Sequence, residues 1–202
     1  MAIEKPLSQA CLRNQGPILE VLKIYMNEPG KVIEVGCGTG QHAVYFASNL
    51  THLYWQATDQ ASWLDGANSW IEPAQLPNLP AAICLDVTMS RWPTARAEYV
   101  FSANVLHYMP KTHGVNFFAG IAATLVSSGT LILYGPFNEQ GYTSAGNANL
   151  DAWLKRDIHQ ESGLWELSEV VDLAHVHGLD LRKDIPMPAN NRCLLFHRKE
   201  RA

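Results

Sequence analysis

At 202 residues, with 47% hydrophobic and 17% charged residues, the chain has the length of one domain and the composition of an ordinary globular core. A net charge of −4 without any basic run argues against a surface made for phosphate backbones. The start Met1-Ala2-Ile3-Glu4-Lys5-Pro6 has no signal-peptide core, no apolar run approaches membrane-spanning length, and Cys11, Cys37, Cys84 and Cys193 form no C-x-x-C pair, which fits reduced thiols in a cytoplasmic protein. The eight histidines form no H-E-x-x-H, and no metal site is expected.

Residues 1–13 are expected to form an arm. A helix is expected from Asn14, which suits an N-cap, with Pro17 in the first turn and Ile18, Leu22 and Tyr25 at helical spacing until Pro29-Gly30 ends it. Lys31–Val35 is an apolar, β-branched strand carrying Glu34, and it runs into Gly36-Cys37-Gly38-Thr39-Gly40. A helix over about 40–49 follows. Strand, glycine turn and helix start make a nucleotide cradle, because glycine lets the main chain approach a ligand closely. A dinucleotide site asks for G-x-G-x-x-G; here the spacing is G-x-G-x-G, and Gln41 stands where the third glycine would fall.

At this point the chain resembles motif I of class I S-adenosylmethionine (SAM) methyltransferases, an apolar strand followed by E/D-x-G-x-G-x-G. The resemblance implies SAM as cofactor, with Glu34, Gly36, Gly38 and Gly40 in its site. The second strand, Leu53–Thr58, ends at Asp59, 19 residues beyond Gly40. A carboxylate there can accept from both hydroxyls of a ribose, and it also suits the cap of a helix over 60–71. Gln60 joins the expected cofactor set. After the loop Gln75–Pro80 comes a short third strand, Ala82–Leu85, then Asp86-Val87. That pair resembles the adenine clamp of the same superfamily, although an acid after a strand is also an ordinary turn residue.

Trp92-Pro93 marks a turn, and Tyr99–Ala103 reads as strand 4. In a doubly wound sheet this strand lies beside strand 1 across the switch point, so Asn104–Met109 faces the reacting atoms. Asn104 is placed to fix the methionine end of SAM or the acceptor. His107 is the best-placed titratable group, either a base or a structural histidine. A helix over 112–127, a stop at Ser127-Ser128-Gly129 and strand 5, Thr130–Tyr134, follow. The polar stretch 138–150 reads as a long loop, taken as a lid within 136–160, and Asp151–Ile158 as a short helix. A helix over 166–177 with Gly178 as its cap, strand 6 over 179–185 and strand 7 over 193–197 complete the chain without repeats or a second-domain linker.

Taken end to end, the chain is similar to the methyltransferase-like protein 26 family, long catalogued as a domain of unknown function. The carrying segments are Arg13-Asn14 with Pro17-Ile18-Leu19, Gly38–Ala43, Leu53–Gln56, Ala103-Asn104 with His107, Tyr134–Phe137 and Met187–Asn191. The resemblance implies a single α/β domain over 1–202. Its Rossmann-like, doubly wound, seven-stranded sheet would have strand order 3-2-1-4-5-7-6, with strand 7 antiparallel. It also implies methyl transfer from SAM, without naming an acceptor. Tyr134, Asn147, Asn149, Asn190 and Asn191 add hydroxyl and amide groups suited to a small polar acceptor, or else satisfy main-chain groups in two irregular loops. Asn104, His107 and Tyr134 form the expected catalytic set, and Arg13 is placed to pair with the cofactor carboxylate. An RNA or protein acceptor, or SAM binding without turnover, are the competing readings.

Overall fold

The computed structural model describes residues 5–200. Seven strands form one sheet in the order β3-β2-β1-β4-β5-β7-β6, with β7 antiparallel to both neighbours and the other pairings parallel. The strands are β1 Gly30–Val35, β2 Leu53–Asp59, β3 Ile83–Cys84, β4 Ala97–Ala103, β5 Leu125–Pro136, β6 Leu179–Met187 and β7 Asn191–Arg198. The helices are α1 Gln9–Tyr25, α2 Gln41–Asn49, α3 Leu64–Ala74, α4 Gly114–Thr124, α5 Ala145–Trp153 and α6 Leu167–Val176. Class I methyltransferases have this α/β architecture.

Alternation along the strands divides the core between the two faces of the sheet. Val32, Trp55 and Phe101 pack with Ile18 and Leu22 of α1 and Phe46 of α2. Ile33, Val100, Leu131 and Phe196 pack with Phe117 and Ile121 of α4 and Val170 of α6. On the first face, Phe46 lies 5.6 Å from Trp55 and 5.4 Å from Phe101, ring centre to ring centre, so the helix after the glycine turn is seated on an aromatic cluster. No helix among the described residues is long and apolar enough to cross a membrane.

Four expectations change. The expected arm is helical from Gln9, because the Ser8 hydroxyl accepts the Cys11 N–H at 3.3 Å and caps α1 there. The arm's first four residues lie outside the described residues. Asn14 is therefore no cap but a buried mid-helix residue, and Pro17 sits in the helix interior, where it removes the bond to the Arg13 carbonyl. Helix α4 stops at Thr124, and 125–129 instead opens β5, where Leu125 pairs with Ala97. Helix α5 starts at Ala145 rather than Asp151, because the Ser144 hydroxyl accepts the Asn147 N–H at 3.0 Å; much of the expected loop is thus helical.

Candidate active site

The carboxyl ends of β1, β2, β4 and β5 gather most of the residues expected in the site. After β1 the chain turns through Gly36, Gly38 and Gly40, with φ of 76°, 54° and 80°. A Cβ on Gly36 would lie 2.3 Å from Cγ2 of Val105, so the turn closes tightly against the loop after β4. A Cβ on Gly38 would meet nothing within 4 Å: this part of the turn faces open space, as a ligand cradle requires. The N–H groups of Gly36 and Cys37 both donate to the Thr58 carbonyl at 3.0 Å, which ties the turn to the end of β2.

Asp59 is the junction of this corner. Its Oδ2 accepts the Gly38 N–H at 2.6 Å and its Oδ1 the Gln60 N–H at 2.7 Å. Burial raises its pKa, and these two N–H donors act against that rise. Each oxygen keeps a further lone pair for a ligand hydroxyl. Gln60 Nε2 reaches Asp86 Oδ2 at 3.1 Å, so the carboxylates after β2 and β3 share one polar rim. Asp86 also accepts from Thr88, through its N–H at 2.8 Å and its hydroxyl at 2.7 Å; this turn function lowers its pKa. Val87 is half-buried beside it, and its carbonyl accepts from Trp92 Nε1 at 3.4 Å.

Glu34 stands behind the turn. It is 1% exposed and accepts from Trp55 Nε1 at 2.8 Å. Burial pushes its pKa up to about 7, with the Trp55 bond opposing the rise. Its side chain is committed to the wall beneath the cradle.

Across the switch point, Asn104 takes a left-handed φ of 59°, and its N–H donates to the Tyr134 carbonyl at 2.8 Å. Asparagine is among the few non-glycine residues that adopt this region readily, so the loop after β4 can turn here. Asn104 Oδ1 and His107 Nδ1 both lie 3.8 Å from the point where Gly135 would carry a Cβ, so the two side chains converge at the end of β5. His107 is 5% exposed, and its ring lies tilted against that of Tyr108, 4.9 Å between centres; burial lowers its pKa to about 4. Tyr134 is buried on the opposite face, where burial raises its phenol to about 12 against opposing effects of Asn14 and Arg13.

The asparagines divide. Asn147 is 4% exposed, and its Nδ2 is engaged by Asn138 Oδ1 at 3.1 Å and Thr143 Oγ1 at 2.8 Å. Its side-chain amide is thus spent on bonds around the start of α5. Asn149 and Asn190 are exposed. Asn191 donates to the Pro188 and Ala189 carbonyls and closes the β6–β7 turn, which stands at the carboxyl end of β5 through the Asn191–Pro136 pair.

Two residues of the corner had no assigned role in the sequence reading. Gln41 Oε1 accepts from the Ser8 N–H at 2.5 Å and the Thr39 hydroxyl at 3.0 Å, which brings the start of α1 onto the glycine turn. His42 Nε2 lies 2.7 Å from Asn14 Oδ1, 28 positions away in sequence. Only the segment Gly38–Ala43 of the family resemblance pointed to them.

Solved methyltransferase structures share this fold. An O-methyltransferase family protein from Burkholderia thailandensis superposes with a TM-score of 0.81 at 16% identity, covering 96% of this chain and 58% of that one. Human N-acetylserotonin methyltransferase, in complex with SAM, gives 0.79 at 15%, with 95% and 53% covered. CalO1, a methyltransferase of calicheamicin biosynthesis in its SAH-bound form, gives 0.73 at 14%, with 93% and 54% covered. The chain thus spans 53–58% of the length of these three, and at such identities the likeness is one of fold. Residues 5–198 match the family described as Protein of unknown function (DUF938), and to that family the chain belongs.

Proposed function

We propose that the chain binds SAM and transfers its methyl group to a small polar acceptor through O, N or S, as a member of the methyltransferase-like protein 26 group. The observation that carries this reading is Asp59. It stands at the end of β2, held by the N–H groups of Gly38 and Gln60, with a lone pair left on each oxygen for the two hydroxyls of a ribose. Gln60, Asp86 and Val87 continue that rim where the adenine would lie. The glycine turn and Asn104 flank the methionine end, and Arg13 offers a guanidinium to its carboxylate. The structural neighbours whose names describe O-methyltransferases or bound SAM support the same assignment.

Bound SAM supplies an already activated methyl group, so alignment and exclusion of water are what the protein must add. His107 is kept neutral by burial, and at neutral pH its imidazole accepts a hydrogen bond from an acceptor O–H or N–H without competing protonation. Asn104, tied by its N–H to the Tyr134 carbonyl, fixes the neighbouring polar atom. Tyr134 keeps its proton throughout the physiological range and serves as a donor. Residues 136–160, with α5, form the lid over this edge. A net charge of −4 favours a small acceptor over a nucleic acid.

Titration calorimetry with SAM and S-adenosylhomocysteine tests the cofactor, and a metabolite screen with labelled SAM tests turnover. Binding of both nucleosides is expected; no heat with either overturns the reading.

A further inference from the structure

The loop after β4 is pinned from two directions. The Asn104 N–H is bound to the Tyr134 carbonyl. From the segment beyond α5, Trp165 Nε1 donates to the Leu106 carbonyl at 3.1 Å, the Gly163 N–H to the His107 carbonyl at 3.0 Å and the Ser162 hydroxyl to the Tyr108 carbonyl at 2.7 Å. Val105 packs against the glycine turn at Gly36, so His107 and Tyr108 are carried on a fixed backbone beside the cradle. His107 is buried, yet neither of its ring nitrogens finds a hydrogen-bond partner among the described residues. Its Nδ1 converges with Asn104 Oδ1 at the end of β5. A buried polar group left open in this way is completed by a ligand.

Two aromatic rings continue from His107. Tyr108 lies at 38° to the imidazole with 4.9 Å between centres, and Trp153, the last residue of α5, meets Tyr108 edge-on at 6.1 Å and 79°. Tyr108 is 42% exposed and Trp153 37%, so both keep apolar ring surface open to water. Two rings near a right angle form a corner. A third flat ring fills it, offset-stacked on one wall and edge-on to the other. An aliphatic molecule of the same size gains only from the area it buries.

We propose that Tyr108 and Trp153 select a flat aromatic acceptor, a phenol or an aryl amine, and turn its O–H or N–H toward the open nitrogen of His107. The proposal rests on the SAM reading above and narrows its small polar acceptor to an aromatic ring. The acceptor oxygen or nitrogen forms the bond to the methyl carbon while the carbon–sulfur bond breaks. The electron pair of that bond returns to sulfur, which leaves S-adenosylhomocysteine. The acceptor's proton departs along its hydrogen bond to His107 and passes to water, carrying off the charge that the sulfonium loses.

A naphthol and decalol, its saturated counterpart, separate the ring from the hydroxyl. By calorimetry on the full chain saturated with S-adenosylhomocysteine, the naphthol should bind at least about tenfold more tightly than decalol. Tyr108→Leu and Trp153→Leu should each weaken the naphthol about fivefold or more, with S-adenosylhomocysteine within about twofold of wild type. Trp153→Phe keeps a ring and should keep most of the affinity. Equal affinity for naphthol and decalol overturns the proposal, as does unchanged naphthol affinity in either leucine variant. If the leucine variants also lose S-adenosylhomocysteine because the lid no longer packs, the Trp153 indole N–H resonance of the wild type decides. A shift on adding the naphthol supports the proposal, and none overturns it. A wild-type chain that binds no S-adenosylhomocysteine overturns the cofactor reading itself. One that binds it without preferring the naphthol overturns only the aromatic acceptor.

Discussion

Asp59 Oδ2 accepts the main-chain N–H of Gly38 at 2.6 Å, so the carboxylate expected to hold a ribose also shapes the turn that would enclose it. Asp59→Ala removes both functions. Lost charged hydrogen bonds to a ligand should weaken SAM by about 1–3 kcal/mol, or roughly fivefold to 150-fold. Freeing the Gly38 and Gln60 N–H groups should lower the unfolding free energy by about 1 kcal/mol as well. Calorimetry and urea titration of the same variant separate the two effects. Unchanged SAM affinity would remove Asp59 from the ribose.

Three buried titratable groups set opposite slopes of stability against pH. For His42 and His107 the folded pKa is about 4, below the unfolded value of about 6.5. The unfolded chain therefore takes up the proton first, and stability falls as pH drops from about 6.5 toward 4. For Glu34 the folded pKa is about 7, above the ordinary 4.5. Its contribution is present at low pH and is lost as pH rises from 4.5 through about 7. Two histidines outweigh one carboxyl up to about pH 7, and above it the opposing slopes nearly cancel. Urea midpoints should therefore rise to a plateau near pH 7, and Glu34→Gln should steepen the rise between about pH 5 and 7. An unchanged slope in that variant would remove Glu34 from the pH dependence.

The strands and the glycine turn were legible because their signals are local, whereas the strand order came with the family resemblance. β-branched runs mark the strands, and only glycine takes a φ of 54° to 80° at Gly36, Gly38 and Gly40 without penalty. The start of α1 was misread because Pro17 mimics a first-turn signal, while the hydroxyl that caps the helix, Ser8, lies nine residues earlier. Asn147 looked like a loop amide free for a ligand; its burial depends on Ser144 turning that loop into a helix. The Asn14–His42 contact has no local signature at all. It exists because α1 and α2 pack on the same face of the sheet, which residue spacing along the chain does not report.

Asp151 holds the expected lid region together. It accepts from the Tyr142 hydroxyl at 2.7 Å, Lys155 Nζ at 2.6 Å and the Leu164 N–H at 2.7 Å, with only 4% of its side chain exposed. Burial pushes its pKa up, but these donors hold it below the usual carboxylate range. Asp151→Ala leaves the buried Leu164 N–H without that acceptor, at a cost of about 1–3 kcal/mol. Lys155 is half exposed and adds little. Hydrogen exchange should speed up over residues 142–164 and stay unchanged in β1 and β4. Uniform acceleration would show that the segment is not an independent unit.

Gly36 and Val105 offer the sharpest test of how the two halves of the site meet. A methyl at Gly36 would sit 2.3 Å from Val105 Cγ2, on a backbone with φ of 76°. Gly36→Ala carries two separate penalties: a left-handed alanine, about 1–2 kcal/mol, and an overpacked contact, about 1–3 kcal/mol. Val105→Ala removes only the second. The double variant should therefore recover the overpacking part and retain the backbone part, a coupling of about 1–3 kcal/mol in a double-mutant cycle of urea unfolding. Additive effects would mean that the loop after β4 yields to the new methyl. The tight seam between the glycine turn and Val105 would then not be what fixes the distance between the cradle and Asn104.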